Sequence, residues 1–146
     1  MMSSIQRMMK RSFGFTLIEL MTVIAVVAIL TALAVPSYRD YVLRTNRMEA
    51  INILLDVAAC QERTYVRFNQ YDTSLCGASS TTANGLYTVS MNTSNSNQNY
   101  TLTATAQGNQ VNDSCSNLTL TDQGIRGTSA SNVNVDVINC WKGKKI

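Results

Sequence analysis

The hydrophobic pattern changes character twice along this chain. From Phe15 to Val35 almost every position is apolar, and Glu19 is the one ionisable residue among them. An all-round apolar stretch reads as a membrane segment, since a hydrocarbon core of ~30 Å needs about 20 such residues. Beyond Pro36 the pattern becomes periodic. Ile51, Leu54, Leu55, Ala58 and Tyr65 recur at spacings of three and four, while Asn46, Glu49, Asp56 and Arg63 fall largely elsewhere. Phe15 to about Phe68 is therefore expected as one long helix, apolar in its first half and amphipathic in its second. Pro36 removes a backbone donor and crowds the preceding turn, but helical patterning resumes at once, so a kink or local melting is expected rather than a stop.

After Asn69 the period changes from helical to alternating. Asn69 to Asn84 is rich in Asp, Thr, Ser, Gly and Ala and reads as a loop. Leu86–Met91, Tyr100–Ala106 and Ser116–Thr121 alternate as strands, with Thr93–Asn99 as a hairpin loop and Gln107–Gln110 as a turn. Asp122-Gln123-Gly124 closes the third strand, and Val133–Ile138 is expected as a short terminal strand. These strands are too short and polar to bury both faces, so one face should cover the amphipathic half-helix. The fold class expected is α+β: a long N-terminal helix, its apolar half protruding and its amphipathic half packed, against an antiparallel sheet.

Charge alters this picture at the N-terminus. Of the 12 Lys and Arg residues, Arg7, Lys10 and Arg11 precede Gly14, leaving as many basic side chains as the 9 acidic ones. The formal charge of +3 thus belongs to the first residues, and the remainder has no global pull toward nucleic acid or anionic lipid. Basic residues before an apolar run stay on the cytoplasmic side, so the body after Val35 faces outward, into the periplasm for a bacterial inner membrane. A secretory signal peptide has its apolar stretch before the cleavage site. Here the small residue suited to cleavage, Gly14, lies before it.

Cys60, Cys76, Cys115 and Cys140 all lie in the exported part, where disulfides are the expected state. Four cysteines permit three connectivities, and sequence alone does not choose among them. Cys60–Cys76 and Cys115–Cys140 are the expected pairs because sequence-near pairing needs the least chain crossing. With no histidine and no CxxC, a zinc site would need four dispersed thiolates, so no metal and no cofactor is expected.

The junction Gly14-Phe15-Thr16-Leu17-Ile18-Glu19 resembles the class III leader of type IV pilins. That resemblance implies cleavage after Gly14 by a prepilin peptidase, N-methylation of Phe15, and an assembly role for Glu19 at the fifth mature position. Pro36 matches a proline that the family usually carries past the apolar run. Asn46-Arg47-Met48-Glu49-Ala50, Gln61-Glu62-Arg63-Thr64-Tyr65 and Leu118–Gly127 look like the pattern of PilE-like minor pilins. Many pilins close their C-terminal region with a disulfide, which Cys115 and Cys140 resemble, whereas Cys60 and Cys76 depart from the simplest members. The implied organisation is a leader over 1–14, a membrane and filament-core half-helix over 15–36, and a periplasmic headgroup over 37–146. The implied partners are other pilins in a helical filament, the prepilin peptidase and methyltransferase, the inner-membrane assembly machinery and the membrane itself before assembly. The implied function is that of a minor pilin in or priming the filament, serving twitching, adhesion or DNA uptake, with the major pilin and a DNA-binding competence pilin as alternatives. A type II secretion pseudopilin fits less well, because two disulfides do not match a calcium-stabilised major pseudopilin.

Catalysis is not expected. Without histidine there is no Ser/His/Asp or Cys/His arrangement, and no Gly-rich phosphate loop precedes an apolar helix. Glu49, Asp56 and Glu62 lie beside Arg47, Arg63 and Arg67 and read as solvated helical ion pairs. Arg126, Lys142, Lys144 and Lys145 would form a basic tip for DNA with Trp141 as a stacking aromatic. The favoured reading of the same residues is a solubilising tail with Trp141 packed beside a disulfide.

Overall fold

The computed structural model describes residues 14–129 and 136–144. The chain divides into two compact units, Met1–Ser37 and Tyr38–Ile146. Helix α1 spans Leu17–Phe68 and includes Pro36. Its start is set by Thr16, whose hydroxyl accepts the Glu19 N–H at 3.3 Å, the side-chain cap that a helix N-terminus lacks from its own backbone.

Within the second unit, five antiparallel strands follow in consecutive order as a meander: β1 (Ser80–Thr81), β2 (Tyr87–Ser94), β3 (Asn99–Ala106), β4 (Leu118–Thr121) and β5 (Arg126–Thr128). The β2–β3 register places Tyr87 opposite Ala106 and Met91 opposite Leu102. Strict alternation puts Tyr87, Val89, Met91, Leu102, Ala104 and Leu118 on the buried face. That face packs on Ala50, Ile51, Leu54 and Val57 of α1 and forms the core. The β2–β3 loop tightens to a turn in which Asn95, Ser96 and Asn97 all have positive φ (51°, 55° and 63°), a conformation Asn tolerates better than most residues.

Four features differ from the sequence reading. The buried stripe of α1 includes Arg47, Gln61 and Thr64, whereas Leu55 lies at the rim, 40% exposed. β1 emerges inside the expected loop because the Thr82 hydroxyl accepts the Leu86 and Tyr87 N–H groups and folds the chain back onto β2. β5 forms because Gly127 sits opposite Thr119, where a Cβ would collide with the threonine hydroxyl. The expected terminal strand is replaced at Val137 and Ile138 by a short helix, α2 (Val137–Trp141), while residues 133–135 lie outside the described residues. The Asp136 carboxylate accepts the Ile138 N–H at 2.8 Å and caps α2, which decides the local structure against a strand.

Two disulfides close the headgroup, Cys60–Cys76 and Cys115–Cys140, each with a Cα–Cα separation of 5.7 Å. The first ties the loop after α1 back onto the helix; the second joins the β4 approach to α2. Their sequence separations of 16 and 25 correspond to about 3 and 3.5 kcal/mol of loop-closure stabilisation in the chain-entropy model.

Candidate functional site

In the N-terminal unit the candidate surface is the apolar half of α1 itself. It carries an 18-residue window of mean hydropathy 2.5, with none of that window buried. Phe15 and Leu33 are 87% and 73% exposed. Glu19 lies in the first turn, where an acid suits the positive end of the helix. Its backbone is engaged: its N–H is capped by Thr16, and its carbonyl accepts the Thr22 hydroxyl at 2.8 Å. Among the described residues no hydrogen bond or ion pair reaches its carboxylate. The Thr16 and Thr22 hydroxyls thus engage the backbone of Glu19 and not its side chain.

In the headgroup the polar chemistry is structural. Arg47 is 2% exposed and pairs with the buried Asp113, Nη1 to Oδ1, at 3.4 Å. Its Nη1 also abuts Cys115 Sγ, and its Nη2 donates to the Lys144 carbonyl at 3.3 Å. One guanidinium thus gathers α1, the segment before β4 and the C-terminal residues. Beside it the fully buried Gln110 donates to the Leu43 carbonyl (2.9 Å), the Tyr87 hydroxyl (3.2 Å) and Asp113 (3.1 Å), and accepts from Asn46 (3.1 Å). The solvated helical ion pairs expected around Arg47 and Glu49 are replaced by cross-element bonds. Burial forces Arg47 onto Asp113, and Glu49 accepts from Ala83 N–H and Asn84.

Glu62 likewise serves tyrosines, accepting from Tyr71 at 3.2 Å and Tyr100 at 3.3 Å. The rings of Tyr65, Tyr71 and Tyr100 follow one another at 4.7 and 4.6 Å between centroids. Burial, then the Glu62 carboxylate, pushes the Tyr71 hydroxyl up to about 12. Burial alone is the leading cause at Tyr87, also about 12. A tyrosine whose folded value exceeds the unfolded 10.0 keeps its proton in the fold and loses it on unfolding. Its stabilisation is complete below pH 10 and declines as pH rises toward 12. Thermal melts across that window should be flat to about pH 10 and then fall, and Tyr71→Phe should fall less steeply.

The basic tip, the less favoured reading of the C-terminal residues, is only partly assembled. Trp141 is 5% exposed, its Nε1 donates to the Gly127 carbonyl at 3.1 Å, and Arg126 lies over its ring at 5.2 Å. The indole is thus a packing element, occupied on its edge and its face, and offers no stacking platform for a base. Lys142 and Lys144 are exposed, and Lys145 lies outside the described residues. The sequence reading missed Gln61 and Gln110, since a glutamine at a core position carries no periodic signal until its partners are known.

Known proteins share both parts of the chain. Residues 36–119 match the family described as type IV minor pilin ComP, DNA uptake sequence receptor, and residues 9–35 match the prokaryotic N-terminal methylation motif. A fimbrial protein of Neisseria meningitidis serogroup A is 39% identical over 103 residues, covering 68% of this chain and 58% of that protein. The type IV major pilin protein PilE of Neisseria gonorrhoeae is 37% identical over 99 residues, covering 58% of this chain and 59% of that protein. The chain therefore spans about three fifths of the length of these curated relatives. A solved type IV pilin from Shewanella oneidensis is 27% identical, with a TM-score of 0.49, over 64% of this chain and 99% of that one. With the headgroup match alone spanning more than half of the sequence, and the methylation motif adjoining it, the chain belongs to the type IV pilin family.

Proposed function

We propose that this chain is a minor pilin, a structural and assembly subunit of a type IV pilus. The observation that carries the reading is the match of residues 36–119 to a family described as a minor pilin. The chain would sit in the inner membrane with its headgroup in the periplasm, lose residues 1–14 after Gly14, be methylated at Phe15 and enter a filament. The unburied apolar surface from Phe15 to Val35 supports this, because a filament core of packed helices and a bilayer make the same demand on that surface. The test is quantitative mass spectrometry of sheared pili from the native host. A trace component beginning at methylated Phe15 supports the minor role; a dominant component makes it the major pilin, the name carried by a relative. A chain that retains residues 1–14 removes the cleavage reading.

A second reading is favoured by the same family description, that of a DNA uptake sequence receptor. It adds DNA contact by the headgroup to the structural role. With Trp141 packed, exposed Arg126, Lys142 and Lys144 supply charge without a stacking aromatic. Retention of duplex DNA by the detergent-solubilised chain, at low and at physiological salt, decides it, since phosphate-driven binding weakens steeply with salt. No retention at either salt ends that reading and leaves the pilin one intact.

A further inference from the structure

The two disulfides occupy opposite environments. Cys115 and Cys140 are both 0% exposed and belong to the core. Cys60 and Cys76 are half-buried and line a surface groove with Arg63, Thr64, Arg67, Phe68 and Leu75. No carboxylate lines that groove. Arg63 and Arg67, one helical turn apart, are exposed and have no hydrogen-bond or ion-pair partner among the described residues. The expectation of helical ion pairs for them is therefore not met; the neighbouring Glu62 is taken by Tyr71 and Tyr100. Two uncompensated guanidiniums beside a sulfur pair attract anions and stabilise thiolates.

The backbone adds a second, independent feature. Cys76 has φ of 63°, in the left-handed region that a side chain with a Cβ avoids, and Gly77 follows at 66°. The bonded cysteine thus sits in a strained backbone conformation, and exposed or strained disulfides are the labile ones. The Thr64 hydroxyl donates to the Cys60 carbonyl at 3.2 Å and lies 3.6 Å from Cys76 Sγ, so a turn about its C–O bond would redirect its proton to that sulfur once it is a thiolate. The loop does not depend on the bond alone. The Gln61 side chain donates to the Asp72 carbonyl at 2.6 Å and the Leu75 carbonyl at 3.3 Å, and accepts the Asp72 N–H at 3.1 Å. Opening the disulfide therefore leaves the loop attached and the headgroup core intact.

We propose that Cys60–Cys76 is a thiol–disulfide exchange site on the headgroup surface, taking an anionic thiol or dithiol, while Cys115–Cys140 is closed to exchange. The incoming thiolate forms a bond to Cys60 Sγ, the Cys60–Cys76 bond breaks, and its electron pair leaves on Cys76 beside the Thr64 hydroxyl. With a dithiol, the second thiolate then attacks its own sulfur in the mixed disulfide, releasing Cys60 and leaving the reductant as a disulfide. Two electrons pass from the dithiol to the protein, and both cysteine thiolates take up protons from solvent. With a monothiol, the first step leaves a mixed disulfide on Cys60, which Cys76 can close again unless alkylation traps its thiolate.

The test uses the full chain in detergent, titrated with reduced glutathione, which is anionic, or cysteamine, which is cationic. The reaction is quenched by alkylation and read by peptide mass spectrometry. Cys60 and Cys76 should open at about tenfold or more lower thiol concentration than Cys115 and Cys140, with glutathione recovered on Cys60. Arg63→Gln with Arg67→Gln should slow glutathione relative to cysteamine by about threefold or more at low salt, and the difference should shrink as salt rises. Both side chains are exposed, so the variant keeps its fold, and protection of Cys115–Cys140 verifies this in the same spectra. Simultaneous opening of both bonds, or Cys115–Cys140 opening first, overturns the proposal. Glutathione on Cys76 overturns the leaving-group assignment, and an unchanged glutathione-to-cysteamine ratio in the variant overturns the role of the arginines.

Discussion

Asp113→Ala should destabilise the headgroup by about 3–5 kcal/mol, a large share of the ~5–15 kcal/mol that holds most domains folded. The carboxylate is ion-paired with Arg47, and both side chains are nearly inaccessible, at 2% and 6%. Without it the guanidinium keeps one carbonyl, that of Lys144, and its Nε is already unpartnered. A buried charge left in that state is penalised far more than the intact pair is rewarded. Asp113 also accepts from Gln110 and from the Cys115 N–H at 3.3 Å, so its loss loosens the segment that carries the C-terminal disulfide. The cycle that isolates the charge pairs Asp113→Ala with Arg47→Met, which fills the space without a charge. Urea unfolding with both disulfides intact should show the double variant losing clearly less than Asp113→Ala alone. Equal losses would mean that the hydrogen bonds of Asp113, and not its charge, hold this corner together.

That corner also marks where the sequence stops being informative. The helix and the three long strands are legible because they obey a period: apolar all round from Phe15 to Val35, every third or fourth residue from Ile51, every second residue in Tyr100–Ala106. Arg47 breaks the helical pattern, and a lone arginine on a helix is normally solvated, so nothing local marks it as core. Its burial is decided by Asp113, 66 positions away in sequence, and by the C-terminal residues that close over it. β1 and β5 are two and three residues long, too short for any period, and owe their existence to a hydroxyl-bonded turn and a glycine opposite a threonine. Val137 and Ile138 favour a strand by composition, but the Asp136 cap and the Cys140 cross-link fix a helix there. Trp141 shows what sequence does and does not give for a candidate site: packing beside a disulfide is the favoured reading over a DNA tip, but its partners, the Gly127 carbonyl and Arg126, appear only in the structure. The groove at Cys60 and Cys76 was likewise invisible, because exposure and φ are not written in spacing.

Glu19→Ala should reduce incorporation of this chain into pili by about two orders of magnitude or more while leaving its synthesis and folding unchanged. Breaking an ion pair in low dielectric by removing one partner costs about 3–5 kcal/mol, and every 1.4 kcal/mol is a factor of ten in docking. We propose as its partner the cationic amine that cleavage after Gly14 would create on Phe15 of a neighbouring subunit, which an axial stagger of packed helices would bring alongside. A second effect acts in the same direction. A carboxylate in a bilayer costs about 2.5–3.5 kcal/mol, so an unpaired Glu19 favours leaving lipid for the filament, and alanine removes that drive. Local structure does not confound the test, because Thr16 caps the Glu19 N–H and Thr22 bonds the Glu19 carbonyl, and alanine supplies both backbone groups. Glu19→Gln separates charge from shape: it retains size and hydrogen bonding but cannot form the ion pair, so it should fail nearly as badly as alanine. The measurement is the ratio of this chain in sheared pili to this chain in the membrane, for wild type and both variants in one background. Glu19→Gln at the wild-type ratio would assign the position to a neutral hydrogen bond, and Glu19→Ala at that ratio would leave Glu19 with helix capping and its dipole as its whole role.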